Sequence, residues 1–243
     1  DPARRTAEPA RPGRRVRAAA LRPVPVAPVR ARPQRQDRLQ RLPDAVSVQA
    51  QQLSKTAAGV ELDFSALVAG YAADQLAERV ERWGIEHYLL EITGEMRVKG
   101  QHPEGRPWRI AVEKPEAGLQ RAVERVIDLR DIGVATSGDY RNFQLVDGKR
   151  YSHTLDPRSG KPIDHLLVSV TVLNPSAMVA DGWATALMAM GPEQAMAMAE
   201  LNNLAVLLIQ REGEAFSEWS SSALLAYLAK GNSATATVAP KEP

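Results

Sequence analysis

From Val46 onward the hydrophobic positions fall into two periods. Over "DFSALVAGYAADQLAERVERWG", Leu67, Tyr71, Leu76, Val80 and Trp83 recur at three- to five-residue intervals. That spacing predicts an amphipathic helix ending at Gly84, with Asp63 or Ser65 as its N-cap. Short apolar or alternating runs follow at 87–92, 108–113, 122–129, 141–146, 149–155 and 166–173, and each reads as a strand. Asp147-Gly148 separates two of them, a strong signal for a two-residue hairpin. "SAMVADGWATALMAMG" and "PEQAMAMAELN" then read as helices, "LAVLLIQ" and "EAFSEW" as strands around a turn, and "SSALLAYL" as a short last helix. Hairpins with helices packed on them predict an α+β fold with a mixed or antiparallel sheet, not a doubly wound parallel one. No internal repeat is present.

Before Val46 the texture is different. Ala, Arg, Pro and Val supply 32 of the first 44 residues, and none is aromatic. Such a segment has little to set against its ordering entropy, so residues 1–45 are expected to be a disordered basic arm. Three origins stay open: a flexible arm, GC-rich coding sequence read in a shifted frame, and a nucleic-acid arm. Twelve Arg without a single Lys favour the shifted frame. Residues 46–230 are the expected folded domain and 231–243 a flexible tail.

Charge divides the same way. Residues 1–44 balance at +8, which leaves −6 for the remainder of a chain whose net charge is +2. The domain is therefore acidic and nucleic acid is not an expected partner. Among 243 residues there is no cysteine, which removes disulfides, thiolate metal sites and a Cys nucleophile together. No run approaches the ~18 consecutive apolar residues of a membrane-spanning helix.

Three constellations could carry chemistry. Between Ala177 and Met190 the only polar side chains are Asp181 and Thr185. Their i, i+4 spacing puts both oxygens on one helix face, and a carboxylate with a hydroxyl suits Mg²⁺ far better than zinc. The competing reading is an Asp capping a shorter helix while Thr185 bonds back to a carbonyl. In the second, a two-residue turn at 147–148 pairs Val146 with Lys149, Gln144 with Tyr151 and Asn142 with His153, which puts His153 on a polar sheet face. Beside it "ATSGDY" reads as a small-residue loop able to approach an anion, although His153 could equally be a surface residue and Asp156 to Gly160 only a turn. Third, the start of the first helix offers free N–H groups to a phosphate, with Asp63 placed to accept from a ligand or simply to cap. Ser137 lacks the spacing of a nucleophile elbow.

The order of these motifs is more specific than any one of them. "ELDFSALVAGYAADQL", "PEGRPWRIAVEKP", "VATSGDYRNF", "DGKRYSHTLDPRSGKPI", "LVSVTVL" and "ADGWATALMAMG" together closely resemble the FAD:protein FMN transferases of the ApbE family, over roughly residues 46–228. The resemblance implies an α+β enzyme of ApbE-like (T-fold-like) architecture that uses FAD as substrate and Mg²⁺ as cofactor. Such an enzyme moves FMN onto a Thr or Ser hydroxyl of a target protein and releases AMP. It implies metal ligation by Asp181, Thr185 and the carbonyl of Ala66, flavin contacts from Asp63 and Leu155, and His153 as the base for the acceptor hydroxyl. Ala69 falls on a further flavin-contacting position, usually Lys or Glu in the family. The expected partner is a membrane redox-complex subunit. The resemblance implies the bacterial periplasm or an inner-membrane lipoprotein as the setting, with membrane attachment expected only through a lost N-terminal lipid anchor. Two alternatives remain: an FAD pyrophosphatase giving FMN and AMP, and a non-catalytic flavin-binding protein.

Overall fold

A computed structural model describes residues 46–49, 52–55, 63–113, 123–138, 143–146, 149–213 and 215–235. The expected arm at 1–45 and the tail beyond 235 lie outside these, as do Asn142 and the turn residues Asp147 and Gly148. In chain order the elements are β1 (Val46–Gln49), β2 (Gln52–Lys55), α1 (Ser65–Arg82), β3 (Tyr88–Ile92), β4 (Glu95–Lys99), β5 (Trp108–Glu113), β6 (Val123–Leu129), β7 (Ile132–Gly138), β8 (Phe143–Val146) and β9 (Lys149–Ser152). They continue as β10 (Leu167–Asn174), α2 (Ala177–Met190), α3 (Pro192–Leu201), β11 (Ala205–Glu212), β12 (Ala215–Ser220) and α4 (Ser222–Thr235).

The frame is a six-stranded sheet in the order β12-β11-β10-β7-β4-β3, with every described pair antiparallel. Its central strands are apolar on both faces. Along β11, Val206 and Leu208 join one buried cluster while Leu207 and Ile209 join another. The first cluster is closed by Ala180, Ala184, Leu187 and Met188 of α2 and by Ala195 and Ala199 of α3. The second is closed by Ile110, Val112, Ile127 and Leu129 of the β5–β6 hairpin and by Leu224 of α4. Cover on both sides explains why "LLVSVTVL" and "LAVLLIQ" are nearly continuous apolar runs in an antiparallel sheet, where one-sided burial would give alternation.

Four sequence expectations are corrected. The "ATSGDY" loop is instead, over Ala135 to Gly138, the end of central strand β7. Earlier in the same strand the packing is close: a Cβ added at Gly133 would sit 2.6 Å from the backbone nitrogen of Ala177 in α2. Strand β4, absent from the sequence reading, follows β3 through Thr93 (φ 54°) and Gly94 (φ 114°), with Ile92 opposite Glu95. Positive φ at both turn positions matches the strand twist of a tight hairpin. Helix α4 runs on to Thr235, past residue 230 where the folded domain was expected to end. Finally, β9 stops at Ser152 rather than at residue 155.

Candidate functional site

Helix α1 meets α2 along a seam of small residues. Its buried positions are Gly70, Ala73, Ala77 and Val80. The predicted stripe is thus corrected: of its five members only Val80 is buried, while Tyr71 is 52% and Trp83 69% exposed. The reason is distance. A Cβ at Gly70 would lie 2.4 Å from the carbonyl oxygen of Ala177, so large side chains cannot occupy the seam.

Close approach delivers Asp181 to α1. The residue is 6% exposed, and its Oδ2 accepts a 3.1 Å hydrogen bond from the backbone N–H of Gly70. Regular i to i−4 pairing would direct that same N–H at the carbonyl of Ala66. The bond to Asp181 thus brings the carboxylate to the turn of α1 that carries Ala66. Burial pushes the Asp181 carboxyl above its usual range, and the Gly70 bond only partly offsets this. One turn further on, the hydroxyls of Thr185 and of Ser137 in β7 share a hydrogen bond of 3.1 Å. The reading in which Asp181 caps a shorter helix fails, because the N-cap is Ser176, whose side chain accepts from Val179 N–H. Thr185 likewise turns its hydroxyl to Ser137 rather than being confined to its own helix.

At the start of α1, Asp63 is exposed and accepts a 2.8 Å bond from Ser65 N–H. That backbone bond, with the Ser65 side chain, holds the Asp63 carboxyl below its ordinary value. Phe64 occupies the N-cap position and makes no side-chain cap bond. Ala66 and Ala69 are both half-buried on the first two turns.

The hairpin register holds as far as it is described: Val146 faces Lys149, Gln144 faces Tyr151, and Phe143–Ser152 is the last pair. His153, expected to continue this ladder opposite Asn142, instead stands exposed in a bend just past the strand's end. The chain then bridges Leu155 to Pro162 and closes a turn in which Gly160 N–H donates to Asp156 O at 2.7 Å. Leu155 is 50% exposed. The hydrogen bonds given above for Asp181 and Thr185 involve neither His153 nor Leu155. A cleft of about 640 Å³ lies between this turn and the α2–α3 junction, lined among others by Arg158, Lys161, His165 and Glu193, and it contains none of the predicted site residues.

Two acids near the seam escaped the sequence reading. Glu95, at the head of β4, accepts from the Thr93 hydroxyl at 3.1 Å, and its carboxyl is raised first by burial and then by the charge of Asp181. Asp74, one turn past Gly70 on α1, accepts from the start of α2. Neither had a sequence signal beyond being acidic.

A buried carboxylate with one neutral donor is costly until a cation meets it. Carboxylate, hydroxyl and carbonyl oxygens form a hard donor set that fits Mg²⁺. Among the described residues no group of three His, Asp or Glu side chains could hold a metal alone, so an ion here would also rely on the hydroxyl, the carbonyl and ligand oxygens.

Comparison with known proteins gives a consistent picture. The model of the ApbE family matches residues 14–208. The chain is 45% identical over 185 residues to the FAD:protein FMN transferase of Vibrio cholerae, covering 76% of this chain and 55% of that one. It is 44% identical over 178 residues to the FAD:protein FMN transferase of Escherichia coli K12, covering 73% and 50%. Among solved structures, the apo flavinyl transferase ApbE of Pseudomonas stutzeri superposes with a TM-score of 0.66 at 44% identity, covering 76% of this chain and 57% of that one. The flavin transferase ApbE of Vibrio cholerae gives a TM-score of 0.71 at 39% identity, covering 83% and 64%. The chain spans about half the length of the curated relatives it matches.

Proposed function

The chain belongs to the ApbE family, and from that premise we propose that it transfers FMN from FAD to a Thr or Ser hydroxyl of an acceptor protein and releases AMP. The observation that carries this reading is the buried Asp181 carboxylate, which accepts from the Gly70 N–H one turn past Ala66. Asp181, Thr185 and Ala66 would hold Mg²⁺, which when bound supplies charge neutralisation at pyrophosphate oxygens. Asp63 and Leu155 meet the flavin nucleotide. Ala69 leaves space rather than a charge at its position.

The acceptor hydroxyl oxygen bonds to the phosphorus of the FMN half as the pyrophosphate P–O bond to AMP breaks. His153 takes the hydroxyl proton, a role suited to a neutral imidazole. An exposed bend lets a protein chain reach this histidine. The same exposure admits water, which favours hydrolysis of FAD to FMN and AMP as the competing outcome. A periplasmic or lipid-anchored setting, with a membrane redox-complex subunit as acceptor, completes the reading.

The test incubates the chain with FAD, Mg²⁺ and a flavin-acceptor domain, and looks for in-gel flavin fluorescence on the acceptor. EDTA-sensitive labelling is expected; its absence with folded protein overturns the proposal. FMN and AMP formed without an acceptor would identify the hydrolase instead.

A further inference from the structure

Helix α2 carries both side-chain oxygens of the proposed metal site, so whatever fixes its start also fixes them. Its four N-terminal N–H groups have no partners within a helix, yet every one is met. Ser176 N–H donates to Asn174 Oδ1 at 2.9 Å, and Val179 N–H donates to Ser176 Oγ at 3.2 Å. Asp74, a residue of α1, takes the other two: Ala177 N–H donates to Oδ1 at 2.9 Å and Met178 N–H to Oδ2 at 3.1 Å. The Ser176 hydroxyl adds a third bond to Oδ2, at 2.7 Å. Behind the carboxylate stands Arg97 of β4, its Nε 3.7 Å from Oδ1. Both side chains are about four-fifths covered.

We propose that Asp74 is a positioning residue for Asp181 and Thr185: by capping α2 from within α1 it sets how the ligand-bearing helix lies against the first turns of α1. This rests on the metal reading proposed above. The geometry is a two-point clamp. One turn apart on α1, Gly70 N–H and the Asp74 carboxylate each hold α2, the first at Asp181 and the second at residues 176–178. A neutral amide at position 74 cannot accept on both atoms, and its NH₂ would face backbone N–H groups. The start of α2 would then have to shift or lose donors, and the Asp181 carboxylate would move relative to Ala66.

The test compares the unmodified chain with Asp74→Asn and Asp181→Asn in two measurements: Mn²⁺ affinity from the free-ion EPR signal, and the position of the Gly70 amide in ¹⁵N spectra. Circular dichroism checks that each is folded. Asp74→Asn is expected to weaken Mn²⁺ binding roughly 10- to 100-fold, as loss of an outer-shell partner does. It should also shift the Gly70 amide, and that shift should vanish when Asp181→Asn is already present. A folded Asp74→Asn with unaltered Mn²⁺ affinity and an unmoved Gly70 amide overturns the proposal, as does a Gly70 shift that persists without Asp181. If the unmodified chain binds no Mn²⁺, the metal reading fails separately, and the Gly70 amide alone decides the role of Asp74. Should Asp74→Asn not fold, Ser176→Ala removes one of the three bonds to the carboxylate and is expected to give the same pattern at smaller amplitude.

Discussion

Replacing Gly70 with Ala tests the seam on which the site depends. By helix propensity alone the change stabilises a helix interior by about 1 kcal/mol. The new Cβ, however, would lie 2.4 Å from Ala177 O, 2.6 Å from Ala177 C and 2.7 Å from Met178 Cα, where ordinary contact begins at 3.4 Å. All three atoms are backbone, so no side chain can rotate away. Overpacking of this kind costs about 3 kcal/mol, at the upper end of the usual range because the obstacle is a helix. The net is a loss of roughly 2 kcal/mol. For a domain of about 200 residues that lowers Tm by ~4–8 °C. Thermal unfolding followed by circular dichroism reads the shift, and Mn²⁺ titration of the same protein should show weaker binding as α2 and Asp181 are pushed from Ala66. A Gly70→Ala protein with raised Tm would mean that propensity wins and the helices are not in close contact, which would refute the packing argument.

Asp181→Asn separates stability from ligation. Burial raises the Asp181 carboxyl, so the folded state holds its proton to higher pH than the unfolded chain does. Stability of the metal-free protein therefore falls as pH rises from the ordinary carboxylate value through the raised one, and Glu95 adds a change of the same sign. Asn at 181 should flatten that fall and raise Tm in EDTA at pH 7, while abolishing stabilisation by Mg²⁺; a lower Tm in EDTA would contradict this. Ser221 is fully buried, and its hydroxyl accepts from Val206 N–H and Leu224 N–H and donates to Leu204 O. Ser221→Ala should cost about 2–4 kcal/mol by urea unfolding, from a lost cap and stranded buried groups. A cost under about 1 kcal/mol would be inconsistent with that account. Because Asp63 is exposed, Asp63→Ala should weaken FAD binding, read by flavin fluorescence quenching, and leave Tm nearly unchanged; a large loss of Tm would reassign it to a purely structural cap.

The legible parts of the sequence were those where local pattern and tertiary role coincide. Asp181 and Thr185 stood out because two polar side chains interrupt an apolar helix, and the structure turns both toward partners on other elements. The β8–β9 register followed from turn chemistry alone. What stayed hidden depends on neighbours. The small residues at the end of β7 look like a loop when taken alone, and are a strand because Ala135 to Gly138 pair with β10. The apolar stripe of α1 misled because a seam built on Gly70, Ala73 and Ala77 carries little hydrophobicity, although it brings the backbones closest. Asp74 is one acid on a polar-looking stretch until the fold sets the start of α2 opposite it.

The two helix starts explain how one small seam can serve two charges. A helix N-terminus favours negative charge, through its unpaired N–H groups and the helix dipole together. At α2 that demand is met internally by Asp74, which leaves no vacancy for a phosphate among residues 176–179. At α1 the only side-chain acceptor described is Asp63, exposed and bonded to Ser65 N–H. A nucleotide phosphate approaching this face therefore meets an uncapped Phe64 start at α1 and a closed one at α2. An acidic cap on α2 also lies one turn from the buried Asp181, so removing the cap and removing the ligand should both be felt at Gly70. Under the proposed function the anion-accepting helix end would lie on α1 and the cation-holding face on α2, joined by the bond from Gly70 N–H to Asp181.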